Sequence, residues 1–150
     1  MDDAKKINEV MVSLFNIVLK IEEKAIKEST IHDLSITEMH TLDVIGIGNG
    51  RTMSEVAQRL QINLSTLTIA INKLVKKGYV ERFRIPSDRR IVKIKLTKEG
   101  FDAVKEHEAF HDELIRKAIG KVSDEEIKNL IVSLDNIDTF MHMQMATHKG

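Results

Sequence analysis

Residues 63–96 read NLSTLTIAINKLVKKGYVERFRIPSDRRIVKIKL, and the interpretation of this stretch decides the fold. Its first half keeps a helical period, with Leu67, Ala70, Ile71 and Leu74 on one face. Ser65, Thr66, Thr68, Ile69, Asn72, Lys73 and Lys76 occupy the other face. Asn63 suits the N-cap, and Gly78 stands where a left-handed residue usually closes a helix. The period then changes. Tyr79–Ile85 and Ile91–Leu96 read as strands, the second setting Val92, Ile94 and Leu96 against Lys93 and Lys95. Between them Pro86-Ser87-Asp88-Arg89-Arg90 forms a polar hairpin tip that holds the only proline.

On the upstream side, Thr52-Met53-Ser54-Glu55 is a capping box that starts a short helix through Leu60. Gln61-Ile62-Asn63 then supplies the short connection of a helix-turn-helix. A second capping box, Ser35-Ile36-Thr37-Glu38, opens a helix to about Ile47, and Gly46 to Gly50 break the chain. Residues 5–28 form a long helix with two apolar stripes: Ile7, Val10, Leu14, Ile17 and Ile21, then Val12, Phe15, Leu19 and Ile26. One stripe is expected to pack on the chain's own core and the other to meet a partner. Downstream, Thr97 caps a helix to about Ile119, and Ser123-Asp124-Glu125-Glu126 opens a last helix carrying Leu130, Leu134 and Met141. The expected architecture is one domain over 1–150, mainly α with a small β-hairpin wing. Its winged helix-turn-helix module covers 34–96, and helices at 5–28 and 98–145 form a dimerisation body.

A chain of 150 residues with 42% hydrophobic content suits one ordinary core. It has no cysteine, so disulfides and thiolate metal sites are excluded. No apolar run reaches the ~18 residues of a membrane span, and the N-terminus lacks the apolar core of a secretion signal. A cytoplasmic location is expected. The formal net charge is zero, yet its distribution is uneven. Residues 51–95 hold 11 Lys+Arg against 3 Asp+Glu, and the remainder holds 12 against 20. A basic block confined to one module suggests a polyanion-binding face. There is no Gly-rich phosphate loop, no His-Glu-x-x-His and no cysteine nucleophile, so an enzyme is not expected.

The residue types agree with double-stranded DNA as the partner. Short hydroxyls at the start of the 64–77 helix suit phosphates and base edges, and the helix dipole favours phosphate there. Asn72 can pair with adenine through both amide atoms, and Ile69 can touch a thymine methyl. Arg82, Arg84, Arg89 and Arg90 cluster on or near the hairpin, and arginine on a slender loop suits the narrow minor groove of an A·T-rich tract. Asp88 is placed to brace Arg90. A winged helix serving only protein interaction is the alternative from another class.

Asp88-Arg89-Arg90 followed by Leu96-Thr97-Lys98-Glu99-Gly100 resembles the wing signature of MarR-type regulators. Leu64-Ser65-Thr66-Leu67-Thr68 and Gly78-Tyr79-Val80-Glu81-Arg82 stand at the expected distances before it. The resemblance covers the whole chain. It implies a homodimer made by the terminal helices, recognition helices in successive major grooves of a palindromic operator, and Arg90 in the minor groove. Where the family often has a basic residue this chain has Ile69.

Residues 35–46 and His107-Glu108-Ala109-Phe110-His111 are similar to the FabT-like branch, repressors of fatty-acid biosynthesis genes that respond to long-chain acyl groups on acyl carrier protein. That likeness implies an acyl-chain tunnel lined by Phe15, Leu19, Met39, Leu42 and Phe110, with His40 or His107 at the thioester end. An alternative effector is Zn²⁺. His107 and His111 share a helix face at i, i+4, and Glu38 and His40 are candidate further ligands. Met141, His142, Met143, Met145 and His148 read as a frayed end rather than a copper site.

Overall fold

The computed structural model describes residues 2–147. In chain order the elements are α1 (Asp3–Lys27), α2 (Ile36–Ile45), β1 (Arg51–Thr52), α3 (Met53–Leu60), α4 (Leu64–Lys76), β2 (Val80–Ile85), β3 (Asp88–Leu96), α5 (Lys98–Ile119) and α6 (Asp124–Thr147). They fall into two compact units, one closing at Phe110 and one opening at His111. No helix among the described residues is long and apolar enough to cross a membrane.

The helix starts follow from capping chemistry. Ser35 Oγ accepts from the Glu38 amide at 3.1 Å, and the Glu38 carboxylate accepts from the Ser35 amide at 2.8 Å. Thr52 and Glu55 make the same reciprocal pair at α3, and Ser123 and Glu126 make it at α6. Each box satisfies backbone donors that a helix start leaves unpaired. Helix α2 ends two residues before the expected Ile47, because Gly46 turns to φ +72°. Between α3 and α4 the chain reverses at Gln61, whose φ of +56° is left-handed.

The sheet is antiparallel in the order β1-β3-β2. Strand β1 is a two-residue element that alternation did not reveal; it pairs Arg51 with Ile94 and Thr52 with Lys93. The hairpin tip is also tighter than its sequence suggested. Only Pro86 and Ser87 turn, and β3 begins at Asp88, which pairs with Ile85. A register shift separates this pair from Arg84 opposite Val92, and there Arg84 Nη1 donates to the Arg89 carbonyl at 2.6 Å.

The core lies between α2, α3, α4 and the sheet. Met39, Leu42, Val56, Leu67, Ile71, Leu74 and Ile94 are all fully buried. Truncating one such side chain to alanine costs about 2–5 kcal/mol. Of α1, only Glu22 and Ile26 are buried, and ahead of Val18 both apolar stripes face outward, Phe15 being 66% exposed. The stripe expected to pack on the chain's own core therefore does so only over the C-terminal part of the helix. In the second unit α6 buries no residue, and Leu130, Leu134 and Phe140 lie exposed. Its helix persists through Met141–Met145 to Thr147, where fraying was expected; His148 lies outside the described residues.

A clasp at its N-terminus ties α5 to the winged module. Thr97 Oγ1 donates to the Gly78 carbonyl at 2.6 Å and accepts from the Gly100 amide at 3.1 Å. A Cβ on Gly100 would collide with the Tyr79 carbonyl oxygen and press on Leu96. The Leu-Thr-x-x-Gly sequence is thus a packing requirement: only a residue without a side chain lets α5 start against β2. Replacing Gly100 by alanine is expected to cost roughly 3 kcal/mol, the upper part of the range for overpacking, since the obstacle is backbone. That corresponds to a melting temperature about 6–12 °C lower for a chain of this size. An unchanged thermal midpoint by circular dichroism would show that α5 can start elsewhere.

Candidate functional site

Helix α4 divides as its sequence divides. Leu67, Ile71 and Leu74 are fully buried, with Ala70 half-buried beside them. Ser65, Thr66, Thr68, Ile69, Asn72 and Lys73 all lie exposed on the other side, Ile69 at 61%. Two of the hydroxyls turn inward on their own helix. Ser65 Oγ donates to Asn63 Oδ1 at 2.8 Å, and Thr68 Oγ1 donates to the Leu64 carbonyl at 2.8 Å. Asn63 Oδ1 also accepts from the Thr66 amide, which caps the helix start.

The wing presents its arginines outward. Arg82, Arg84, Arg89 and Arg90 are exposed, and Asp88 is half-buried among them. Asp88 holds Arg90 as expected, by a fork. Oδ1 accepts from Arg90 Nε at 3.1 Å and Oδ2 from Nη2 at 3.2 Å, while the Arg90 amide donates to Oδ1 at 3.0 Å. These bonds from Arg90 hold the Asp88 carboxyl below its usual range. The guanidinium is thereby aimed from the base of the tip while its side chain stays 91% exposed.

One link between helix and wing escaped the sequence reading. Arg82 Nη2, from β2, donates to Asn72 Oδ1 on α4 at 2.5 Å. The amide oxygen expected to help read adenine is therefore already engaged.

A second constellation lies beside α1, in the first unit. His107 on α5 is buried, with Nδ1 3.1 Å from Asp43 Oδ2 and Nε2 3.4 Å from Glu22 Oε1. His40 Nε2 on α2 stands 3.4 Å from the same Glu22 oxygen. Potential ligand atoms of His40, Asp43 and His107 lie within 4.8 Å of one another. Glu38, an expected ligand, does not join them. Burial raises its pKa, but the Lys77 ammonium at 2.7 Å and the Ser35 amide outweigh this and hold it ionised in its cap. His111 stands on α5 in the second unit. Glu22 and Asp43 were missed, although a signal for each existed. Glu22 interrupts the apolar series Val18, Ile26 at four-residue spacing, and Asp43 follows His40 by three.

Beside the cluster is a cavity of about 170 Å³ lined by Ala25, Ile26, Ser29, Ile31, Glu106, His107 and Phe110. Of the residues expected around an acyl chain, His107 and Phe110 line it. Met39 and Leu42 do not: both are fully buried core. Phe15 is exposed, and Leu19 is half-buried outside the lining.

Residues 32–91 match the sequence profile of the MarR family. The HTH-type transcriptional regulator PecS of Dickeya dadantii is 30% identical over 132 residues, 86% of this chain and 80% of PecS. The transcriptional regulator ZitR of Lactococcus lactis is 30% identical over 98 residues, 63% of this chain and 67% of ZitR. Streptococcus pneumoniae FabT, solved in complex with DNA, is 41% identical, with a TM-score of 0.88 over 94% of this chain and 99% of that one. A Bacillus stearothermophilus MarR family protein, at 17% identity and TM-score 0.80 over 95% and 99%, shares the fold.

The Asp43 hydrogen bond raises the pKa of His107 against the opposing effect of burial, and the charges of Asp43 and Glu22 add to the rise. A protonated ring is bound more tightly in the folded chain than in the unfolded one. The stabilisation is therefore complete below the ordinary value of 6.5 and lost as pH climbs through the raised folded value. The His107 imidazole should titrate above 6.5 by NMR, and Asp43→Asn should move the midpoint down. A wild-type midpoint below 6.5 would contradict this ion pairing.

Proposed function

The chain belongs to the MarR family of transcriptional regulators, and we propose that it is a homodimeric repressor that grips double-stranded DNA with α4 and the arginine-bearing wing. The observation that carries this reading is the pairing of an outward polar face on α4 with an Asp88-braced, solvent-facing Arg90. The likeness to FabT, which was solved with DNA, supports it. On this reading the α4 face lies in a major groove and Arg90 enters the adjacent minor groove, where narrow A·T tracts concentrate negative potential. The exposed apolar residues of α1 and α6 favour a dimer, because unpartnered faces this rich in Leu, Ile, Phe and Met are rare on monomers.

The target genes are those of fatty-acid biosynthesis, and the effector is long-chain acyl carrier protein, which tightens operator binding. Support comes from the FabT likeness and from the cavity beside His107 and Phe110. Its size sets a limit. A dry cavity of about 150 Å³ accepts a benzene ring, so about 170 Å³ holds only a short segment of a long acyl chain. The rest of the chain extends beyond these lining residues.

A second reading rests on the histidine cluster. Two imidazoles and a carboxylate are the donor set of an open zinc site, and His40, Asp43 and His107 supply it. Zn²⁺ there would replace the proton that His107 shares with Asp43, tying α2 to α5 through the ion.

Fluorescence anisotropy on a palindromic A·T-rich duplex tests the DNA reading. The slope of log K against log salt should be steeper than about −4 for the dimer, since each neutralised phosphate adds about −0.9. Arg90→Ala should weaken binding about tenfold or more, beyond the effect of Lys73→Ala. A flat salt response would instead favour a winged helix that binds only protein.

In the same assay, palmitoyl-acyl carrier protein should lower the protein concentration needed for half-saturation, and chelators should have no effect. Loss of binding on chelation, restored by zinc and abolished by His107→Ala, would replace the acyl effector with the metal.

A further inference from the structure

The Asn72–Arg82 pair has a consequence for which base the protein selects. A guanidinium carries five N–H donors and no acceptor, so the Asn72 amide must turn its oxygen toward Arg82 and its nitrogen away. Adenine recognition by asparagine requires the opposite freedom: the oxygen accepts from N6 while the nitrogen donates to N7. Here that oxygen already accepts a charge-assisted bond of 2.5 Å. Outward, the pair offers the Asn72 amide N–H groups and the remaining guanidinium N–H groups, against one remaining lone pair on Asn72 Oδ1. Asn72 sits on the exposed face of α4, three residues beyond Ile69 and four beyond Thr68. Arg82 is held at the backbone by its ladder pairing with Ile94, so its side chain is anchored at both ends.

Resting on the DNA-binding reading above, we propose that Asn72 and Arg82 form a single donor-rich head that selects guanine in each operator half-site. Arg82 is the specificity-determining residue and Asn72 positions it. In the major groove guanine presents two adjacent acceptors, N7 and O6, whereas adenine pairs an acceptor with the N6 donor that would face another donor. Thymine offers the single acceptor O4. The head therefore adds a G·C requirement to a site otherwise read by the wing through A·T-rich shape. A phosphate contact is the competing use of the same arginine, and it carries no base preference.

The test is selection from randomised duplexes followed by sequencing, with wild type, Arg82→Ala and Asn72→Ala. Both residues are exposed, and thermal melting checks that the variants fold. Wild type should enrich guanine at one position per half-site. Arg82→Ala should lose that preference by about tenfold or more, the scale of one bidentate base contact. Asn72→Ala should weaken the preference at the same position and at no other. Replacing that guanine by 7-deazaguanine removes the N7 acceptor, and it should weaken wild type while leaving Arg82→Ala unaffected. The proposal is overturned if Arg82→Ala weakens all duplexes equally with the selected motif intact, which is the phosphate outcome. It is also overturned if Asn72→Ala abolishes a preference for adenine. Failure of wild type to bind any duplex would instead remove the DNA reading itself, so the two failures are distinguishable.

Discussion

Helix α4 must serve two solvents at once. Its inner residues Leu67, Ile71 and Leu74 close the core against α2, α3 and the sheet, and all three are fully buried. Its outer residues face water, or a partner, with no exposed large apolar side chain except Leu64 and Ile69. Because the two sets alternate along one helix, any rotation about the helix axis would expose core and bury polar groups together. Burial of three large side chains, worth about 1.5–3 kcal/mol each, therefore fixes which way the outer face points. The flanking elements defend the same orientation. Asn63 pins the first turn of α4, and the turn from Gly78 to Tyr79 starts β2 in register with β3.

Much of this was legible along the chain because it rests on local chemistry. Three capping boxes each need only four residues, and all three occur where Ser35, Thr52 and Ser123 stand. The change of period after Gly78 located the hairpin. Strand β1 was not legible, since two residues show no alternation and Arg51–Thr52 become a strand only when β3 passes alongside. The tip was read as longer than it is for a similar reason. Asp88, Arg89 and Arg90 are polar like a loop, yet Asp88 pairs with Ile85, and at the register shift that follows the Arg84 side chain holds the Arg89 carbonyl.

The exposed half of the site was readable from residue type, because a polar face on an amphipathic helix needs no tertiary information. The buried half was less so. Glu22 lies in the charged run Glu22-Glu23-Lys24, which masks its place in the apolar series, and the fold brings its carboxylate into the interior to meet two histidines. Likewise Met39 and Leu42 have the composition of a lipid pocket, but they are fully buried core residues of α2. Apolar character alone does not separate a core from a cavity; the difference lies in which neighbours arrive.

The clasp at the start of α5 has a mechanical meaning. Thr97 and Gly100 are held against Gly78 and Tyr79 at the root of the wing, while His107 sits seven residues on, about 10 Å along the same helix. The continuous hydrogen-bonded helix between them places the buried histidine and the wing's root on one rigid segment. No cushion of side chains lies between Gly100 and the Tyr79 carbonyl oxygen. The glycine thus seats α5 directly on the backbone that leads into the wing.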